Sequence, residues 1–113
     1  MSVMNTTNFE GVVNHTCAAI KKTLTSKAKE YSQHGDRLHN FNVASTVNGI
    51  PVDKSIWYMA TKHLTCVIDM VNSVDLPTTE MVEEKIGDLI NYLVILKAHY
   101  HNEISQEVQK NDV

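Results

Sequence analysis

Four polar residues of the stretch Glu80 to Asn91 could do chemistry together. Glu80, Glu84, Asp88 and Asn91 recur at steps of four and three. At 100° per residue that spacing places them in one narrow sector of a helix. Carboxylates in such a row, on a face partly covered by neighbours, are what a hard cation such as Mg²⁺ or Mn²⁺ uses, with waters and substrate phosphates completing its octahedron. The same row also describes a solvated helix face, which is the commoner arrangement. Two features bear on the choice. Gly87 lies in the sector although glycine costs about 1 kcal/mol in a helix interior, and Ile95 and Ala98 continue the sector as apolar residues. Spacing alone leaves both readings open.

Two further groups invite the same question. Lys62, Cys66 and Asp69 share a flank of the preceding helical segment, where Asp69 could add a carboxylate and Lys62 could offset phosphate charge; an exposed face with a harmless charge pair would look the same. His63 falls within the apolar stripe and reads as a core histidine. The text YSQHGDRLHNFN gathers Arg37, Asn40, Phe41 and Asn42 with other polar and aromatic residues. Rings that stack and amides that read donor and acceptor edges suit a nucleobase, and a polar loop pinned by Leu38 and Phe41 would need the same residues.

These side chains are positioned by helices. Thr7 and Glu10 have capping-box spacing, and Phe9, Val12, Val13, Thr16, Ile20 and Leu24 continue at helical steps, so a first helix is expected over about residues 8–32, ended by Gly35 at the latest. Residues 33–52, with three asparagines, two glycines and a proline, read as a long loop with room for one helical turn. Asp53 is expected to cap a second helix over 53–73, with Ile56, Met59, Ala60, His63, Leu64, Val67, Met70 and Val71 inward. Thr78 or Thr79 should cap a third over 79–108, whose broad apolar face is Val82, Ile86, Leu89, Ile90, Leu93, Leu96, Tyr100 and Ile104, with a frayed polar end. The expected class is all-α: a single domain of three main helices and a long loop. Three such helices leave apolar surface uncovered, so completion by a homo-oligomer, a dimer or tetramer, is expected.

Composition narrows the partners. The 113 residues carry a formal charge of −3 with acids and bases interspersed, which gives no footprint for duplex nucleic acid. No apolar run is long enough to span a membrane. Cys17 and Cys66 lie in helical patterns rather than ligand pairs, and the beginning MSVMNTTNFEG lacks a signal-peptide plan, so a cytoplasmic setting with reduced thiols is expected.

The stretches YSQHGDRLHNF, KHLTCVIDM and EKIGDLINYLVIL together resemble the all-α nucleoside triphosphate pyrophosphohydrolase superfamily, the MazG-like and dimeric dUTPase-like proteins, and in particular its phage and bacterial nucleotide modification associated domain family. The resemblance covers about residues 27–96. It implies Mg²⁺-dependent hydrolysis of a nucleoside triphosphate to monophosphate and pyrophosphate by associated helical subunits. Glu84 and Asp88 match the third-helix acids, with catalytic and metal-binding roles, and Asp69 the second-helix acid that shares the metal. Asn91 and Tyr92 match the Asn-Tyr that follows, and Lys62, Arg37, Asn40 and Phe41 become nucleotide contacts. Two positions depart from the pattern. The first helix has Glu30 alone where the MazG-like enzymes carry paired glutamates, and Lys85 stands where an acid is usual. Fewer carboxylates point toward a diverged, non-catalytic alternative: a helical module that captures a nucleotide or blocks another protein.

Overall fold

The computed structural model describes residues 2–26 and 35–111. Among them the chain is all-helical: α1 over Thr6–Ser26, α2 over His39–Asn48, α3 over Val52–Asn72 and α4 over Thr79–Asn111. The expected class holds. The expected end of the first helix, with Glu30, Tyr31 and residues 33 and 34 of the loop, falls outside the described residues.

Each helix begins where backbone amides find acceptors, and two caps differ from expectation. The Asn5 side chain accepts from the Asn8 N–H at 2.7 Å, so Asn5 and not Thr7 caps α1; it reaches the third amide of the helix, the donor an Asn cap serves best. Pro51 precedes α3 in extended conformation and offers no side-chain bond. Asp53 is thereby shifted into the first turn, where its carboxylate is used elsewhere. Thr78 caps α4 as one of the two expected residues, its hydroxyl accepting from Met81 N–H at 3.2 Å. α4 runs on to Asn111 and does not end near 108.

The expected long loop contains a ten-residue helix, α2. Asp36 makes this possible: its carboxylate accepts from Leu38 N–H at 2.9 Å and from the Asn42 side chain at 2.6 Å. At the other end Gly49 takes the left-handed conformation with φ 65°, and its N–H bonds to the Ser45 carbonyl. The polar residues that argued against a helix bond back to it, as Thr46 does to the Asn42 carbonyl and Asn48 to that of Ala44. Packing of α2 against α3 supplies the rest.

α3 and α4 form an antiparallel pair. Asp53 meets Tyr100 while His63 meets Asp88 and Tyr92, so numbers rise along one helix as they fall along the other. The seam holds Ile56 and Ala60, both 0% exposed. His99 is also buried, deep in α4 and well short of its end. α1 rests on α4 with no buried residue of its own, and Phe9 on its expected inner stripe is 58% exposed. Cys17 and Cys66 are free thiols. No helix among the described residues is long and apolar enough to cross a membrane.

This small core leaves the molecule extended, 57 × 31 × 27 Å. Its accessible surface is 8827 Å², against about 6,200 Å² for a compact chain of this mass.

The Tyr100 hydroxyl donates to Asp53 at 3.0 Å. That bond raises the Tyr100 pKa above the ordinary tyrosine value, and partial burial and the carboxylate's charge act in the same direction. The folded state therefore favours the protonated phenol, and its contribution is complete below about pH 10 and lost as pH rises through the raised value. In a phenolate absorbance titration of the native protein, Tyr100→Phe should remove a late-titrating group. Asp53→Ala should move that group to lower pH; an unchanged titration would show that the bond does not form.

Candidate functional site

Between the four helices lies a cleft of about 820 Å³, within the range of small-ligand sites. Its walls follow from the packing just described. The Asp36-capped turn and α2 bring Arg37, Asn40, Phe41 and Asn48 to one side, and Thr23 and Leu24 of α1 close another. The first turns of α3 present Ser55, Tyr58 and Met59, and the middle of α4 presents Asp88, Asn91, Tyr92, Ile95 and Ala98. The sector of α4 that holds Asp88 and Asn91 is thus turned toward the cleft. Part of the expected inner stripe, Ile86 and Leu93 included, is exposed.

Six of the residues singled out in the sequence come together here: Arg37, Asn40, Phe41, Asp88, Asn91 and Tyr92. The rings form an array. Tyr92 stacks on His63 with centroids 4.9 Å apart and an interplanar angle of 22°, and meets Phe41 edge-on at 6.2 Å and 87°. The His63 ring, expected as a core residue, is half-buried behind this array. Arg37 and Asp88 are the charged lining residues. Arg37 is held by a bond from Nη2 to the Leu24 carbonyl at 2.8 Å, which ties the approach to α2 to the end of α1. Asp88 Oδ2 stands 3.7 Å from His63 Nδ1, too far for a hydrogen bond.

Asn91 differs from the other lining residues. Its side-chain oxygen is shielded from solvent and has no hydrogen-bond partner among the described residues. An unsatisfied buried acceptor costs about 1–3 kcal/mol, and such a group in a cleft is available to a ligand donor.

The remaining candidates lie apart. Lys62 is exposed one turn beyond Tyr58, outside the cleft. Glu84 is solvated, with Lys85 Nζ 3.5 Å from its carboxylate. Asp69 is exposed; it lies about 140° around α3 from Ile56 and so turns away from α4. Among the described residues no three His, Cys, Asp or Glu side chains gather closely enough to hold a metal ion. Glu84, Asp88 and Asp69 of one chain are thus not gathered into a common cluster. A Cβ built at Gly87 meets nothing within 4 Å, so the space beside it is open and no close neighbour among the described residues demands glycine.

Ser55, Tyr58, Asn48 and Thr23 line the cleft without having been singled out in the sequence, and Met59, read there as core filler, lines it too. Ser55 and Met59 share the flank of α3 that carries Lys62, Cys66 and Asp69, so continuing that flank toward the helix start would have found them. Asn48 and Thr23 carry no such signal, because their places depend on α2 and on the docking of α1. No protein-family model, curated protein or solved structure matches this chain.

Two substitutions test this geometry by chemical denaturation at neutral pH. Asn91→Leu replaces an unpartnered polar group with an apolar one of similar size and should leave stability unchanged or raise it by up to about 1 kcal/mol, whereas Asn91→Asp should lower it by about 1–3 kcal/mol. Equal losses in both would mean that the Asn91 amide is already satisfied. Gly87→Ala should stabilise the protein by about 1 kcal/mol, and a loss there would reveal a neighbour that needs the space.

Proposed function

We propose that this protein is a helical nucleotide-binding module, a non-catalytic relative of the pyrophosphohydrolases it resembles. The observation that carries the proposal is the shielded, unpartnered oxygen of Asn91 beside the Phe41 and Tyr92 rings. A planar heteroaromatic ligand with an exocyclic amino or ring N–H group satisfies both features at once. Its faces gain from Phe41 and the apolar wall of Ile95 and Ala98, and its donor edge meets Asn91, with Asn40 and Asn48 able to serve further polar groups. Arg37 supplies positive charge for phosphate. The apolar floor favours the base over the phosphates as the buried part of the ligand.

The arrangement of the acids separates this reading from hydrolysis. Pyrophosphohydrolase chemistry needs a metal to polarise the phosphates and supply hydroxide. Asp88 lies at the cleft, but Glu84 is solvated and Asp69 is exposed, so among the described residues of one chain these acids are not clustered, which supports binding over hydrolysis. Binding of the base and sugar needs no such cluster. Self-association into a dimer or tetramer accords with the uncovered apolar surface, and obstruction of a protein partner is a further role open to a non-catalytic module.

The test is a calorimetric panel of nucleosides and nucleoside mono-, di- and triphosphates, with Mg²⁺ and with EDTA, alongside an assay of pyrophosphate release. Saturable binding of at least one compound should persist in EDTA within a few-fold and be lost in Asn91→Leu, and no pyrophosphate should appear. A native protein that binds none of the panel would overturn the nucleotide assignment. Metal-dependent turnover that vanishes in Asp88→Asn would restore the enzymatic reading.

A further inference from the structure

The polar groups around the cleft are unequally spent. Among its donors, Arg37 Nη2 is given to the Leu24 carbonyl and Asn48 Nδ2 to that of Ala44, both at 2.8 Å. Two acceptors on α4 keep capacity. The Asn91 oxygen has no partner among the described residues, and the Asp88 carboxylate, 3.7 Å from His63 Nδ1, is beyond hydrogen-bond reach of that ring. Both residues line the cleft. Standing three positions apart on one helix, they are surface neighbours with Cβ atoms about 5–6 Å apart, a span that the edge of one base covers. The soft terminal torsion of an asparagine lets its oxygen turn to a ligand.

We propose that these two acceptors read guanine. The proposal rests on the nucleotide-binding reading and names the base. A pair of adjacent acceptors needs a pair of adjacent donors, because an acceptor set against a lone pair is repelled and one left dry loses its hydration. On its pairing edge guanine carries a ring N–H beside an exocyclic amino group. Adenine and cytosine set a single amino group beside a bare ring nitrogen, and uracil and thymine set a single ring N–H between two carbonyls. Guanine is therefore the common base that serves both residues. Its ring N–H donates to Asn91 Oδ1, its amino group donates to Asp88, and Asn91 Nδ2 is left for the guanine carbonyl.

Charge fixes the direction of the ligand. Asp88 repels phosphate and Arg37 attracts it, so the base edge lies toward α4 and the phosphate toward the approach to α2. An amino group donating to a carboxylate makes a charge-assisted bond, roughly twice as strong as a neutral one, which gives Asp88 a use that involves no metal. A ribose also offers two adjacent donors, its hydroxyl groups. The two sources are separated by comparing nucleotides that share the sugar and differ in the base.

The experiment is calorimetry of the full chain in EDTA with the ribonucleotides of guanine, hypoxanthine, adenine, cytosine and uracil, all at the phosphate level that binds best in the panel above. The guanine nucleotide should bind tightest. The hypoxanthine nucleotide, which lacks only the amino group, should bind about tenfold or more weakly, and the others at least as weakly. In Asp88→Ala, with circular dichroism to confirm that the chain stays helical, the guanine-to-hypoxanthine ratio should fall to within about twofold of one. The native ratio needs no variant, so it tests the proposal even where Asp88→Ala does not fold. Guanine and hypoxanthine nucleotides that bind alike, or another base that binds more tightly, overturn the guanine assignment and leave a nucleotide-binding module in place. A guanine preference that survives Asp88→Ala overturns the pairing of Asp88 with the amino group. No binding of any base at any phosphate level overturns both the guanine assignment and the nucleotide reading on which it rests.

Discussion

The antiparallel contact of α3 with α4 is the constraint on which the rest of the structure depends. Ile56 and Ala60 are the buried apolar residues among those described, and both sit on that seam. The Asp53–Tyr100 and His63–Tyr92 contacts hold the register of the two helices at two levels. α2 is placed by packing on α3, and α1 by resting on α4. A core of this size gives little stability by burial alone, because each fully buried large side chain contributes about 1.5–3 kcal/mol against an entropic cost that grows with every ordered residue.

The cleft is a consequence of that economy. With α3 and α4 in contact along one seam, the adjoining sector of α4 is covered at a distance by α2 and α1 and not by direct packing. Space remains, and the residues around it are mixed: rings, amides, one arginine and one carboxylate. Such a lining neither collapses into a core nor faces water freely, and the shielded Asn91 oxygen records the difference. The carboxylates that a metal would need are distributed by the same geometry. Antiparallel packing sets α3's inner face against α4, and Asp69 is on the far side of α3 from that face.

The opposite side of α4 shows the complementary effect. Ile86 and Leu93 were expected inside, yet one helix cannot turn its whole circumference to two neighbours, and both are exposed. The part left over is continuous with Ile104 and Val108, past the end of α3.

Much of the fold was legible in the sequence because it is local. Helical periodicity, the Pro77-Thr78 start of α4, and the apolar stripe of α3 depend on side-chain spacing within a few turns, which a sequence states directly. The grouping of Asp88 with Asn91 and Tyr92 is of the same kind, since residues three and four apart on a helix must share a face. The α2 helix was missed although its signals, Asp36 before it and Gly49 after it, were present, because its polar residues read as loop until their bonds back to the helix are known. What only the tertiary structure decided is which sector of each helix meets which neighbour. Periodicity tells that Asp69 and Lys62 share a flank of α3 with Ser55 and Met59 but not which of them reach the cleft; it tells that Ile86 and Leu93 are apolar but not that they stay exposed. Those outcomes follow from the relative rotation and overlap of α3 and α4, set by side chains some 25 to 50 residues apart in sequence, and no local pattern contains that rotation.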